Sequence, residues 1–81
     1  GKFNLFPVPT ADIINIEITE LPKSDYTLDL LSSEGKLIKS LRFDGEEFFG
    51  TINISEYPSG KYYLHVYDLK SNKAFSILKI N

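Results

Sequence analysis

From Ile13 onward apolar and polar residues alternate with a period of two rather than 3.6, the signature of strands with one buried face. Ile14, Ile16 and Ile18 alternate with Asn15 and Glu17, which predicts a strand over about Ile13 to Thr19, and Leu21-Pro22-Lys23-Ser24-Asp25 breaks it. Tyr26, Leu28 and Leu30 then alternate with Thr27 and Asp29. Ser32-Ser33-Glu34-Gly35 turns that strand into the next, Lys36 to Arg42, as a hairpin. Asp44-Gly45-Glu46 is read as a further hairpin turn, into a strand carrying Phe48, Ile52 and Ile54, where Gly50 marks a bulge or a close backbone approach. The next strand places Tyr62, Leu64 and Val66 on one face and Tyr63, His65 and Tyr67 on the other. A last strand from about Lys73 to Ile80 has Phe75 and Ile77 on one face and Ala74, Leu78 and Ile80 on the other; two partly apolar faces suit a strand that lies between neighbours or is covered on both sides. Phe3 to Phe6 adds a short edge strand. No internal repeat is visible.

The joint between the strand of Phe48, Ile52 and Ile54 and the strand of Tyr62 selects the fold. In Tyr57-Pro58-Ser59-Gly60-Lys61-Tyr62, proline pre-sets φ for a tight turn and glycine accepts the positive φ that follows. Tyr62 then stands where a tyrosine corner stands, ring inward at the start of a central strand and hydroxyl bonded back to upstream backbone. The prediction is an all-β, immunoglobulin-like antiparallel β-sandwich of about six or seven strands.

Length allows one domain over residues 1–81, with residues 1–10 as a Pro-x-Pro lead-in, and a chain of this size buries only about 60 to 65% of its unfolded surface. A composition 42% hydrophobic and 14% aromatic still suffices for a packed core. Eleven acidic and nine basic residues are dispersed, so neither a phosphate-binding stripe nor a polybasic membrane patch is present, and nucleic acid is not an expected partner. The absence of cysteine removes disulfides, thiolate catalysis and thiolate-bound zinc, and fits an intracellular or bacterial envelope protein. No apolar run reaches the roughly 18 to 20 residues that span a bilayer, so no membrane insertion is expected, and no signal peptide opens the sequence. Gly1 reads as the remnant of an excision from a longer protein that carries its export signal elsewhere. The expected state is a monomer or weak dimer.

Candidate chemistry is sparse. His65 is the sole histidine and reads as an outward strand residue between two tyrosines, with no cysteine or second histidine to build a catalytic or metal group. Asp44, Glu46 and Glu47 surround Gly45 without the spacing of a calcium loop. Ser32, Ser33, Ser55 and Ser59 sit in turns and read as turn hydrogen-bonders. Tyr63 and Tyr67 could form an aromatic strip for a glycan or a partner strand, but β propensity on a half-exposed face is the favoured account of them. Asn53-Ile54-Ser55 matches a glycosylation acceptor by chance. The reading is a non-enzyme without cofactor or metal.

Four motifs in order give the sequence a family likeness. Leu5-Phe6-Pro7-Val8-Pro9-Thr10 precedes the first long strand; Leu30 to Ile38 contains Gly35-Lys36; Ile54-Ser55 leads into Ser59-Gly60-Lys61-Tyr62; and the final strand ends with Lys79. In this order they resemble the C-terminal sorting domain of the Bacteroidetes type IX (Por) secretion system, over nearly the whole chain, with Val8 where the family usually has asparagine. The resemblance marks Pro7, Pro9, Thr10, Gly35, Lys36, Gly60, Tyr62 and Lys79 as sorting-motif residues, with Lys79 taken as exposed. It implies a folded address label on a secreted cargo, with the outer-membrane translocon and its processing peptidase as partners. The implied route is through the periplasm to the cell surface or the medium. The alternative is an immunoglobulin-like binding or spacer module, such as a carbohydrate-binding one, in an extracellular protein.

Overall fold

A computed structural model describes residues 1–81 as seven strands: β1 (Lys2–Phe6), β2 (Ile13–Thr19), β3 (Ser24–Ser32), β4 (Leu37–Gly45), β5 (Phe48–Asn53), β6 (Gly60–Tyr67) and β7 (Asn72–Lys79). They form two antiparallel sheets, one ordered β1-β2-β5 and the other β4-β3-β6-β7. The chain changes sheet between β2 and β3, between β4 and β5, and between β5 and β6. That is the immunoglobulin-like sandwich, and no helix is long and apolar enough to cross a membrane.

Period-two patterning produces the core directly. Ile14, Ile16, Ile18 and Ile52 line the inner face of the three-stranded sheet, and Tyr26, Leu28, Leu30, Tyr62, Leu64, Val66 and Ile77 line that of the four-stranded one. Ile54, just past β5, closes the layer. Each fully buried aliphatic side chain contributes about 1.5 to 3 kcal/mol, so a one-residue slip in β2 or β6, which would expose three at once, is prohibitive. Aromatic rings seal the flanks, with Tyr26, Phe43 and Phe48 in a row at one side and Phe3 against Phe75 at the other.

Four sequence expectations change here. Asp44-Gly45-Glu46 is not a hairpin turn: Asp44 and Gly45 end β4, and Glu46 and Glu47 cross to the other sheet, because β4 and β5 belong to different layers. Gly50 carries no bulge, since β2 and β5 stay in register from Ile13 opposite Asn53 to Ile18 opposite Phe48. The glycine instead makes room for the Phe48 ring, whose Cζ would lie 2.8 Å from a Cβ at this position. β7 is an edge strand covered on one face only, with Leu78 and Ile80 exposed. Its inward set runs Phe75, Ile77, Lys79, so Lys79 is buried, with 4% of its surface accessible. Strand parity alone turns the lysine inward, two residues past the core Ile77.

Candidate functional site

Antiparallel strands return the chain to the same end every second connection. The β1–β2, β3–β4 and β5–β6 connections and the end of β7 therefore share one end of the sandwich. All four motifs fall there. Pro7 and Pro9 are exposed between β1 and β2, each following a cis peptide bond. Gly35 and Lys36 form the tip of the β3–β4 hairpin, where Gly35 has φ 85° and the Ser32 carbonyl accepts from the Gly35 N–H at 2.9 Å. Gly60 opens β6 at φ 146°, directly opposite Lys79 of β7. Chain entry at Lys2 lies at the other end, beside Thr19.

Thr10 and Lys79 are the two buried polar residues of the protein, and they pair as a short parallel bridge. The Thr10 N–H donates to the Leu78 carbonyl at 3.0 Å, and the Ile80 N–H donates to the Thr10 carbonyl at 2.9 Å. The Thr10 hydroxyl donates to the Ile13 carbonyl at 2.8 Å, leaving no buried polar side-chain atom without a partner. The first motif is thus hydrogen-bonded to the fourth, across the gap between the two sheets. Sequence reasoning named both residues without finding their contact, which joins positions 69 apart and leaves no periodic trace.

Tyr62 makes the corner as predicted: its buried hydroxyl donates to the Pro58 carbonyl at 2.5 Å. A groove of about 500 Å³ separates this corner from the β3–β4 hairpin, with Lys36 and Lys61 on its lips and Glu34 beside them. A second corner went unrecognised. Tyr26 donates to the Pro22 carbonyl at 2.6 Å, at the opposite end of the sandwich. Burial chiefly, and the Asp68 charge beside it, push the Tyr26 phenol above its ordinary value. The signal was available as Pro-x-x-x-Tyr-x-Leu, present at Pro22 to Leu28 and again at Pro58 to Leu64.

The tyrosine strip lies on the outer face of the four-stranded sheet, and its Tyr67 and His65 are internally engaged. Tyr67 donates to Asp29 Oδ2 at 2.9 Å, Ser40 donates to Asp29 Oδ1 at 2.5 Å, and His65 pairs with Asn72 while packing on the Tyr67 ring. The hydrogen bond to Asp29 raises the Tyr67 pKa first, and burial and the Asp29 charge add to it. Asp44, Glu46 and Glu47 assemble no group of three metal-ligating side chains.

With this geometry in hand the comparison with known families is decisive: the secretion system C-terminal sorting domain family matches residues 4–80, and the chain belongs to it. No curated protein matches the chain. Sorting domains of this family direct proteins through type IX secretion to the cell surface or the medium. The binding-module alternative is not supported.

Proposed function

We propose that this domain is a non-catalytic address label that the outer-membrane translocon reads at the motif-bearing end, after periplasmic transit, and that a processing peptidase then separates it from its cargo. The observation that carries this reading is topological: Pro7, Pro9, Thr10, Gly35, Lys36, Gly60, Tyr62 and Lys79 come from four separated stretches and gather at the end away from Lys2. A cargo joined ahead of Gly1 would leave from the far end, so the motif end stays free to meet a receptor. The buried members, Thr10, Tyr62 and Lys79, hold that end in shape, while Pro7, Pro9, Gly35 and Lys36 are exposed to contact.

The test is export of a periplasm-directed fluorescent protein fused ahead of residues 1–81 in a Bacteroidetes host. Fluorescence should reach the surface or the medium. Lys36→Glu at the motif end should reduce export, and Glu46→Lys at the opposite end should leave it intact; both residues are exposed, and such substitutions usually change stability by less than about 0.5 kcal/mol. Retention of the intact fusion in the periplasm, while a proven sorting domain exports the same cargo, would sink the reading.

A further inference from the structure

The sandwich has four edge strands, and three are guarded. β1 has Lys2 at its start and runs into Pro7, which has no N–H to offer. β4 is interrupted by Lys39, Arg42 and Asp44 and faces an irregular register at Leu30 and Leu31. β7 carries Lys73 and Lys79, and Thr10 covers its end. β5, Phe48-Phe49-Gly50-Thr51-Ile52-Asn53, has no charge and no proline. Open edges are normally blunted, so an unguarded one is available for strand addition.

The pairing of β5 with β2 fixes which of its groups are free. The Ile54 N–H donates to the Asp12 carbonyl, so by antiparallel alternation Ile52, Gly50 and Phe48 turn their backbone groups toward β2. Phe49, Thr51 and Asn53 therefore present N–H and C=O groups to the open side. Their side chains lie on the outer face, and Phe49 is 59% exposed. Carboxylates bracket the strand: Glu46 and Glu47 precede it, Glu56 follows it, and Glu17 stands opposite Phe49 on β2.

We infer that the open edge of β5 accepts an extended, uncharged segment of a partner protein flanked by lysine or arginine. Backbone pairing at Phe49, Thr51 and Asn53 would supply the register, and the bracketing carboxylates would select basic flanks. A second copy pairing antiparallel through the same edge is disfavoured by those charges. With Gly50 at the two-fold axis, Glu46 and Glu47 of each copy would lie at the end of β5 that Glu56 follows in the other, which brings like charges together.

The probes are two acetylated, amidated peptides, Lys-Thr-Val-Thr-Val-Thr-Lys and the same core flanked by glutamate, titrated into the isotope-labelled domain. The lysine-flanked peptide should shift the amide resonances of Phe49, Thr51 and Asn53, slow their hydrogen exchange, and bind at least about fivefold more tightly than the glutamate-flanked one, as two or three exposed ion pairs allow. The triple variant Glu46→Lys, Glu47→Lys, Glu56→Lys alters exposed side chains only and should reverse the preference. Equal binding of the two peptides, no binding, or shifts confined to β1, β4 or β7 would overturn the inference. So would concentration-dependent shifts at β5 without peptide, which would assign the edge to a second copy.

Discussion

The hydroxyl of Tyr26 donates to the carbonyl of Pro22 four residues upstream, and Tyr62 repeats that bond with Pro58 at the other end of the same strand pair. β3 and β6 run antiparallel at the centre of the four-stranded sheet, so each begins with a proline turn pinned by its own first inward tyrosine. The two bonds clamp both ends of the central pair. They also fix where each crossing from the other sheet lands.

Tyr26→Phe and Tyr62→Phe should each destabilise the domain by about 1 to 3 kcal/mol, since each strands a carbonyl beside a buried ring. The two hydroxyls are roughly 20 Å apart along the strands, far enough for independence. The double variant should therefore lose the sum of the single losses to within about 0.5 kcal/mol. Urea denaturation of the four proteins measures this, and a Tyr26→Phe midpoint equal to that of the parent would remove the second corner from the account.

What the sequence disclosed and what it withheld follow from range. Alternation is local, so β2, β3 and β6 and their inward residues were readable, and Tyr62 followed from a six-residue pattern. Sheet membership is not local: Asp44-Gly45-Glu46 looks like a hairpin turn, and only packing shows that β4 and β5 lie in different layers. β7 misled because Leu78 and Ile80 are as apolar as Phe75 and Ile77, and the inward face is decided by pairing with β6. The motif residues were named from family likeness, and their gathering at one end became visible only with strand directions known.

The β6–β7 turn should respond to acid. Asp68 Oδ1 accepts from the Lys70 N–H, the Ser71 N–H and the Ser71 hydroxyl at 2.9, 2.7 and 2.8 Å. Hydrogen bonding from the Ser24 side chain first, then from Ser71 and Lys70, lowers its pKa from the usual 3.8 to about 2. A depressed carboxylate stabilises the fold above the unfolded value and loses that contribution as pH falls toward the folded value. Stability should thus fall between pH 4 and 2, and Asp68→Asn should flatten this part of the profile. An unchanged slope in the variant would show that other carboxylates govern the acid limb.

Gly60 tests backbone conformation apart from packing. At φ 146° no heavy atom lies within 4 Å of where a Cβ would be, so a side chain meets open space and only the dihedral resists it. Gly60→Val should cost about 1 to 3 kcal/mol, the usual strain of a β-branched residue at positive φ. Gly50→Ala makes the opposite comparison: its φ is ordinary and the obstacle is the Phe48 ring. Thermal melting of the two variants should show the larger loss at Gly60, and the reverse order would mean that ring crowding at the β5 edge outweighs the corner.

Lys79 requires two substitutions to be understood. Its stem is buried beside the Thr10 bridge, while the long side chain can carry its ammonium to the surface, as lysines at the rim of a core do. Lys79→Ala removes stem and charge together and should cost about 1 to 2 kcal/mol through lost apolar burial. Lys79→Met keeps an unbranched apolar stem, removes the charge, and should stay within about 1 kcal/mol of the parent. In the export assay, secretion lost in Lys79→Ala but kept in Lys79→Met would mean that the lysine serves by holding β7 against Thr10. Loss in both, with the methionine variant folded by circular dichroism, would mean that the ammonium itself is read. The buried stem favours the first result, so Thr10→Val, which deletes the hydroxyl bond to Ile13, should weaken stability and export together.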